Sequence, residues 1–80
     1  MIRKNGNYTI LSAFPIPNEE YEVVLARHDS FNSWVTWQYS IRNDSYFWGH
    51  YYQEYISALR DFVKRINDEI EANIELGIIK

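Results

Sequence analysis

The side chains here whose types could do chemistry are few: His28, His50 and a set of acids concentrated in the last third of the chain. There is no cysteine, so neither a disulfide nor a thiolate metal site is available. The two histidines have no spacing that matches a zinc site or a nucleophilic triad. They could approach one another across strands, but two ligands are too few for a structural metal. Glu54, Asp61, Asp68 and Glu75 recur every seven residues, almost opposite an apolar arc. On a solvated helix face nothing raises a carboxyl pKa for general-acid work. Gly6, Gly49 and Gly77 are too far apart to cradle a phosphate. The residues therefore request no catalysis, no metal and no cofactor, and the expectation is a protein that is not an enzyme.

Binding chemistry is better represented. Aromatic residues make up 18% of the chain, with three Trp, seven Tyr and four Phe. Such side chains bury large areas each, which helps a short chain close a core and also supplies anchors at interfaces. The second feature is electrostatic. Arg60, Lys64 and Arg65 can pair with acids three or four positions away, but from residue 66 to residue 79 there is no basic side chain, while Asp68, Glu69, Glu71 and Glu75 are all acidic. They sit at the C-terminal end of a predicted helix, where the macrodipole disfavours anions by a few tenths of a kcal/mol each. A solvated helix face would explain them; so would a stripe that docks on a basic partner.

The elements that position these residues follow from a single change of hydrophobic period near residue 53. Before it the period is two, giving strands at about 8–14, 20–28, 33–42 and 46–52. Pro15 and Pro17 stop the first strand. Asp29-Ser30-Phe31-Asn32-Ser33 and Arg42-Asn43-Asp44-Ser45 supply the later turns. Gly49, in the middle of an aromatic strand, marks a bulge or a close backbone approach. From Gln53 the period is 3.6, predicting a helix over about 53–76. Its apolar positions are Tyr55, Ile56, Leu59, Phe62, Val63, Ile66, Ile70 and Ile74. It would run about 36 Å, longer than strands of about 20–24 Å. Ile70, Ile74, Ile78 and Ile79 therefore need another cover: the first strand, the N-terminus or a second copy in a homodimer.

The predicted architecture is a single α+β domain over residues 1–80: one antiparallel sheet of three to four strands, with one long C-terminal helix packed on one face. Val23, Leu25, Val35, Trp37, Tyr39 and Ile41 are expected beneath the helix, with Phe47 and Tyr51. The opposite face would then carry Val24, His28, Trp34, Thr36, Gln38, Arg42, Tyr46, Trp48, His50 and Tyr52. It would be either a bare platform anchored by Trp34 and Trp48, or a face covered by the N-terminal segment or by its own packed rings.

The net charge of −3 opposes non-specific binding to a phosphate backbone. No apolar run approaches the roughly 20 residues that span a bilayer, and no signal-peptide core follows the N-terminal Arg3 and Lys4. The expectation is a cytoplasmic protein with no membrane partner.

Val35-Thr36-Trp37-Gln38-Tyr39, then Tyr46-Phe47-Trp48-Gly49-His50-Tyr51-Tyr52, then Ala58, Phe62 and Arg65 resemble the β-β-β-α plan of integrase arm-binding and plant ethylene-response DNA-binding domains, over residues 21–66. Those families read the major groove with a sheet dense in Arg and Lys; here the strands offer Arg27 and Arg42. A short, acidic, cysteine-free, aromatic-rich chain also resembles, as a class, the small proteins with which phages and mobile elements oppose bacterial defence, anti-CRISPR proteins among them. That resemblance implies a non-enzymatic inhibitor or adaptor in the bacterial host cell. Its partner would be a larger basic protein, such as an RNA-guided CRISPR nuclease whose nucleic-acid-binding surface it blocks. The partner-binding residues expected on this reading are Trp34, Trp48, Tyr46, Tyr52, Arg42, Asp68, Glu71 and Glu75. The alternative is a nucleic-acid-binding accessory domain that uses Trp34, Trp48, Tyr46 and Arg42 on the aromatic sheet face.

Overall fold

The computed structural model describes residues 2–17 and 20–77. The elements are β1 (Lys4–Asn5), β2 (Tyr8–Pro15), β3 (Tyr21–His28), β4 (Trp34–Ser40), β5 (Ser45–Tyr52) and α1 (Tyr55–Glu75). The fold is α+β, with one antiparallel sheet in the order β1-β2-β3-β4-β5. That is five strands among the described residues where three to four were expected. The addition is the two-residue β1, joined to β2 through Gly6 and Asn7, with Gly6 at φ +58°. A two-residue hairpin loop needs such a backbone at its first position, and glycine adopts it without steric cost. The segment 8–14 joins the sheet through its pairing with β3.

Two bulges set which side chain faces where. In β2, Ile10 pairs with Ala26 and Ser12 with Leu25, so Leu11 is an extra residue. In β5, Phe47 pairs with Gln38 and His50 with Thr36, so Trp48 and Gly49 together oppose Trp37. Each bulge reverses the alternation along its strand. Tyr8 and Ile10 therefore face away from α1 while Ser12 and Phe14 face it. Phe47 and His50 face α1 while Tyr46 and Tyr51 face away. Gly49 is required by close approach: a Cβ there would lie 2.8 Å from Trp37 Nε1 and 2.9 Å from a Tyr51 ring carbon.

The bulges also curl the sheet. Across a flat sheet β2 and β5, three strand spacings apart, would be separated by about 14 Å, yet the Tyr8 and Tyr51 rings meet at 6.1 Å. The face away from α1 becomes the inside of the curl and holds the hydrophobic core: Val24, Ala26, Val35 and Trp37, ringed by Tyr8, Ile10, Tyr39 and Tyr46. Tyr8 and Tyr46 each stand 5.3 Å from Trp37, ring to ring. Arg3 closes the mouth. Its guanidinium lies 4.5 Å from the Tyr39 ring centre, donates to the Tyr46 hydroxyl at 3.0 Å and pairs with Glu22 at 2.8 Å. Burial disfavours the Arg3 charge, but Glu22 and Tyr46 more than offset it and raise the pKa.

This overturns the expected distribution of faces. Val35, Trp37, Tyr39 and Tyr51 lie inside the curl, not beneath the helix, and Ile41 is an exposed turn residue. Val23, Leu25 and Phe47 do face α1. Trp34, Thr36, Gln38, His50 and Tyr52 share that helix side and do not lie on a bare far face. The reason is parity. Across the β3–β4 turn, Val24 pairs with Trp37 and Ala26 with Val35, so even positions of one strand share a face with odd positions of the next. The far face is covered by its own curl and by Arg3.

α1 sits on the sheet along its polar side. At the centre of the helix-facing surface, Thr36, Gln38 and Ser40 are buried. Buried polar groups need partners, and Asp61 and Arg65 supply them for Thr36. Ala58 and Asn73, on the same side, are the buried helix residues. The apolar arc expected to face the sheet is thereby rolled sideways, leaving Tyr55, Ile56, Val63 and Ile74 exposed. Ile78 and Ile79 lie outside the described residues.

Candidate interaction site

Asp61 is the polar centre of the helix–sheet junction. Its Oδ2 accepts from Thr36 Oγ1 at 2.6 Å and from His50 Nδ1 at 2.9 Å. Burial alone would raise the Asp61 pKa. The two hydrogen bonds and the charges of His50 and Arg65 outweigh it and leave the carboxyl below its ordinary value. Tyr52 is pushed up, first by burial and then by Asp61. Arg65 Nη1 donates to Thr36 O at 3.0 Å, Thr36 Oγ1 at 3.0 Å and Trp48 O at 2.8 Å. Burial pulls the Arg65 pKa down against the opposing pull of Asp61. The chemistry of this cluster is structural. The Thr36 hydroxyl is fully buried and already donates to Asp61, so it is not offered as a nucleophile.

The same Arg65 holds the most unusual residue in the chain. Trp48 has φ +54° and its side chain is 69% exposed. A bulky residue seldom adopts that backbone, and strained backbone concentrates at functional sites. The bulge turns the indole outward, where it stands edge to face with Phe47 at 4.9 Å between ring centres. Beside it, between β5 and the C-terminal half of α1, lies a cleft of about 350 Å³. Phe47, Tyr21 and Trp48 line its sheet side; Glu69, Asn73 and Leu76 line its helix side. Asn73 is buried, and its Nδ2 has no hydrogen-bond partner among the described residues.

The residues expected to bind a partner do not form one platform. Trp34 is half-buried on the helix side, its ring 6.3 Å from Tyr55. Tyr46 is half-buried in the core and accepts from Arg3. Tyr52 lies half-buried beside Asp61. Arg42, in the β4–β5 turn, pairs with Glu20 at 3.2 Å in the open. Trp48 alone of the four aromatics projects into solvent. The aromatic sheet face of the nucleic-acid reading is therefore absent, its rings divided between the two sides of the sheet. The histidines are divided likewise. His28 meets Tyr8 edge to face inside the curl, its Nδ1 accepting from the Ser30 and Phe31 amides, while His50 faces α1.

The acids fare differently. Asp68, Glu71 and Glu75 are all exposed. Helical spacing puts Asp68 and Glu75 on the flank of Ala72, another lining residue of the cleft beside Trp48. Glu69, lining the cleft itself, and Asn73 were missed in the sequence. Position 69 reads as one more acid in a run, and only the roll of α1 turns it toward Trp48.

Comparison with known proteins finds no matching family model, curated protein or solved structure. No helix among the described residues is long and apolar enough to cross a membrane.

Proposed function

We propose that this chain is a non-enzymatic binding protein, an inhibitor or adaptor that docks Trp48 and the acidic end of α1 on a basic surface of a larger protein. Its most concrete form is an anti-CRISPR protein of a phage or mobile element, occupying the nucleic-acid-binding surface of an RNA-guided nuclease. The observation that carries the reading is Trp48: a large aromatic held in solvent by an unfavourable backbone, at the lip of a largely apolar cleft that carries one acid, Glu69. Exposed tryptophans beside pockets are typical interface anchors. A partner arginine entering the cleft would meet the Trp48 ring and the Glu69 carboxylate. The helix end supports the same reading. The last turn of α1 has no basic residue, so Glu75, with Glu71 just before that turn, stands where the macrodipole disfavours an acid. Complementary charge on a partner would reverse that cost.

The test is DNA cleavage by purified guide-loaded CRISPR nucleases titrated with the chain. Stoichiometric inhibition of one nuclease is expected, lost with Trp48→Ala and with the charge reversal Asp68→Lys/Glu75→Lys. No inhibition and no complex with any nuclease at micromolar concentrations removes the anti-CRISPR form. A complex that ignores both sets of substitutions removes the site.

A further inference from the structure

The apolar stripe of α1 is a surface feature that docking at Trp48 leaves unused. Ile56, Leu59, Val63, Ile66 and Ile70 recur at alternating steps of three and four, the spacing of a heptad seam, and Ile74 extends it. Because α1 turns Ala58, Asp61, Arg65 and Asn73 to the sheet, this seam is left uncovered along one edge. Ile56 is 53%, Val63 51% and Ile74 47% exposed, with Leu59, Ile66 and Ile70 half-buried behind them. From Ile56 to Ile74 the stripe runs about 27 Å. A strip of that length and width is matched by another helix, and knobs-into-holes packing is what its spacing provides for.

Charge decides which helix. Along the exposed flank of the seam the basic residues come first, Arg60 and Lys64, and the acid second, Glu71. A parallel second copy would set like charges side by side. An antiparallel copy, related by a two-fold axis passing between Val63 and Ile66, does the reverse. It places Val63 on Ile66 of the second copy and Leu59 on Ile70, with Ile74 one residue and Glu71 two residues beyond the positions facing Ile56 and Arg60, offsets of about 1.5 and 3 Å that side chains of this length span. Arg60 and Glu71 have no ion-pair partner among the described residues, whereas Lys64 pairs with Asp68 four positions on. The apolar and charged pairs thus centre within one residue of each other, close enough for one two-fold axis to serve both in an isologous interface.

We propose that two copies of this chain pair antiparallel through the Ile56–Ile74 face of α1, with Arg60 of each opposite Glu71 of the other. The pairing does not rest on the docking reading: Trp48 and its cleft lie on the sheet side of the helix, and Glu71 is the one residue that both surfaces use.

Sedimentation equilibrium of the full chain, from micromolar to millimolar concentration, tests it. A monomer–dimer equilibrium is expected. Val63→Glu, at an exposed position, should leave the circular dichroism spectrum and thermal unfolding unchanged while weakening the dimer more than about tenfold. Arg60→Glu and Glu71→Arg should each weaken it, and the two together should restore it. This double exchange keeps the test decisive even if Val63→Glu disturbs folding. A chain that stays monomeric at millimolar concentration overturns the proposal and leaves the seam to a helix of another protein. A dimer indifferent to Val63→Glu, or one the double exchange does not restore, overturns it as well.

Discussion

Trp48 combines two costs that a residue selected for folding would avoid. Its φ of +54° costs about 1–2 kcal/mol for a residue with a Cβ, and its exposed indole contributes little burial in return. Asn tolerates the left-handed region. Trp48→Asn should therefore leave stability unchanged or raise it by up to about 1 kcal/mol, the backbone gain offsetting the lost edge contact with Phe47. Truncating a buried tryptophan costs about 3–5 kcal/mol instead. Urea denaturation separates the two outcomes: a loss above about 2 kcal/mol would show that the indole is part of the core. Stability kept and partner capture lost is the pattern of a residue retained for binding.

At the scale of the element, α1 is held by charge and hydrogen bonds as much as by apolar burial. Asp61 is the group whose protonation should loosen it. Its folded pKa lies below the ordinary carboxylate value. Its contribution to stability is therefore fully present above the unfolded pKa of about 4. It is lost as pH falls from there through the depressed folded value. Asp61→Asn should lower stability at neutral pH by about 1–3 kcal/mol, since Arg65 loses its counter-charge and the hydrogen bonds from Thr36 and His50 weaken. It should also flatten the acid limb of a stability–pH curve below about pH 4. If the acid limb of the variant matches that of the parent chain, Asp61 is not the group that titrates. The imidazole of His50 must carry its proton on Nδ1 to donate to Asp61, so His50→Ala should perturb the same limb more weakly.

For the whole molecule the decisive event is closure of the curl. A chain of 80 residues without disulfides has a net stability of only a few kcal/mol, and the aromatic core is finished by one residue outside any strand, Arg3. Arg3→Ala removes the hydrogen bond to Tyr46, the ion pair to Glu22 and the cation over Tyr39. A loss of about 1–3 kcal/mol is expected, with a weaker near-ultraviolet circular dichroism signal as the rings loosen. Arg42→Ala breaks an ion pair with both side chains in the open and should cost under about 0.5 kcal/mol. Equal losses in the two variants, read from urea midpoints, would mean that Arg3 closes nothing.

The chain's own pattern determined the α+β order, the positions of four strands, the helix and the bulge at Gly49, because each depends on neighbours within a few residues. The β1 hairpin is also legible, in the two-residue loop Gly6-Asn7. What the pattern did not determine was which side of each element faces what. Both sides of β4 carry aromatic and apolar groups, so hydrophobicity did not choose between Trp34 and Trp37. That choice lay in the β3–β4 register and in bulges at Leu11 and at Trp48–Gly49, each of which inverts the faces beyond it. The roll of α1 was settled by bonds from Asp61 and Arg65 to Thr36, 25 and 29 residues away in the chain. Local periodicity reports that a side chain is apolar; only the closed sheet decides whether helix, curl or solvent meets it.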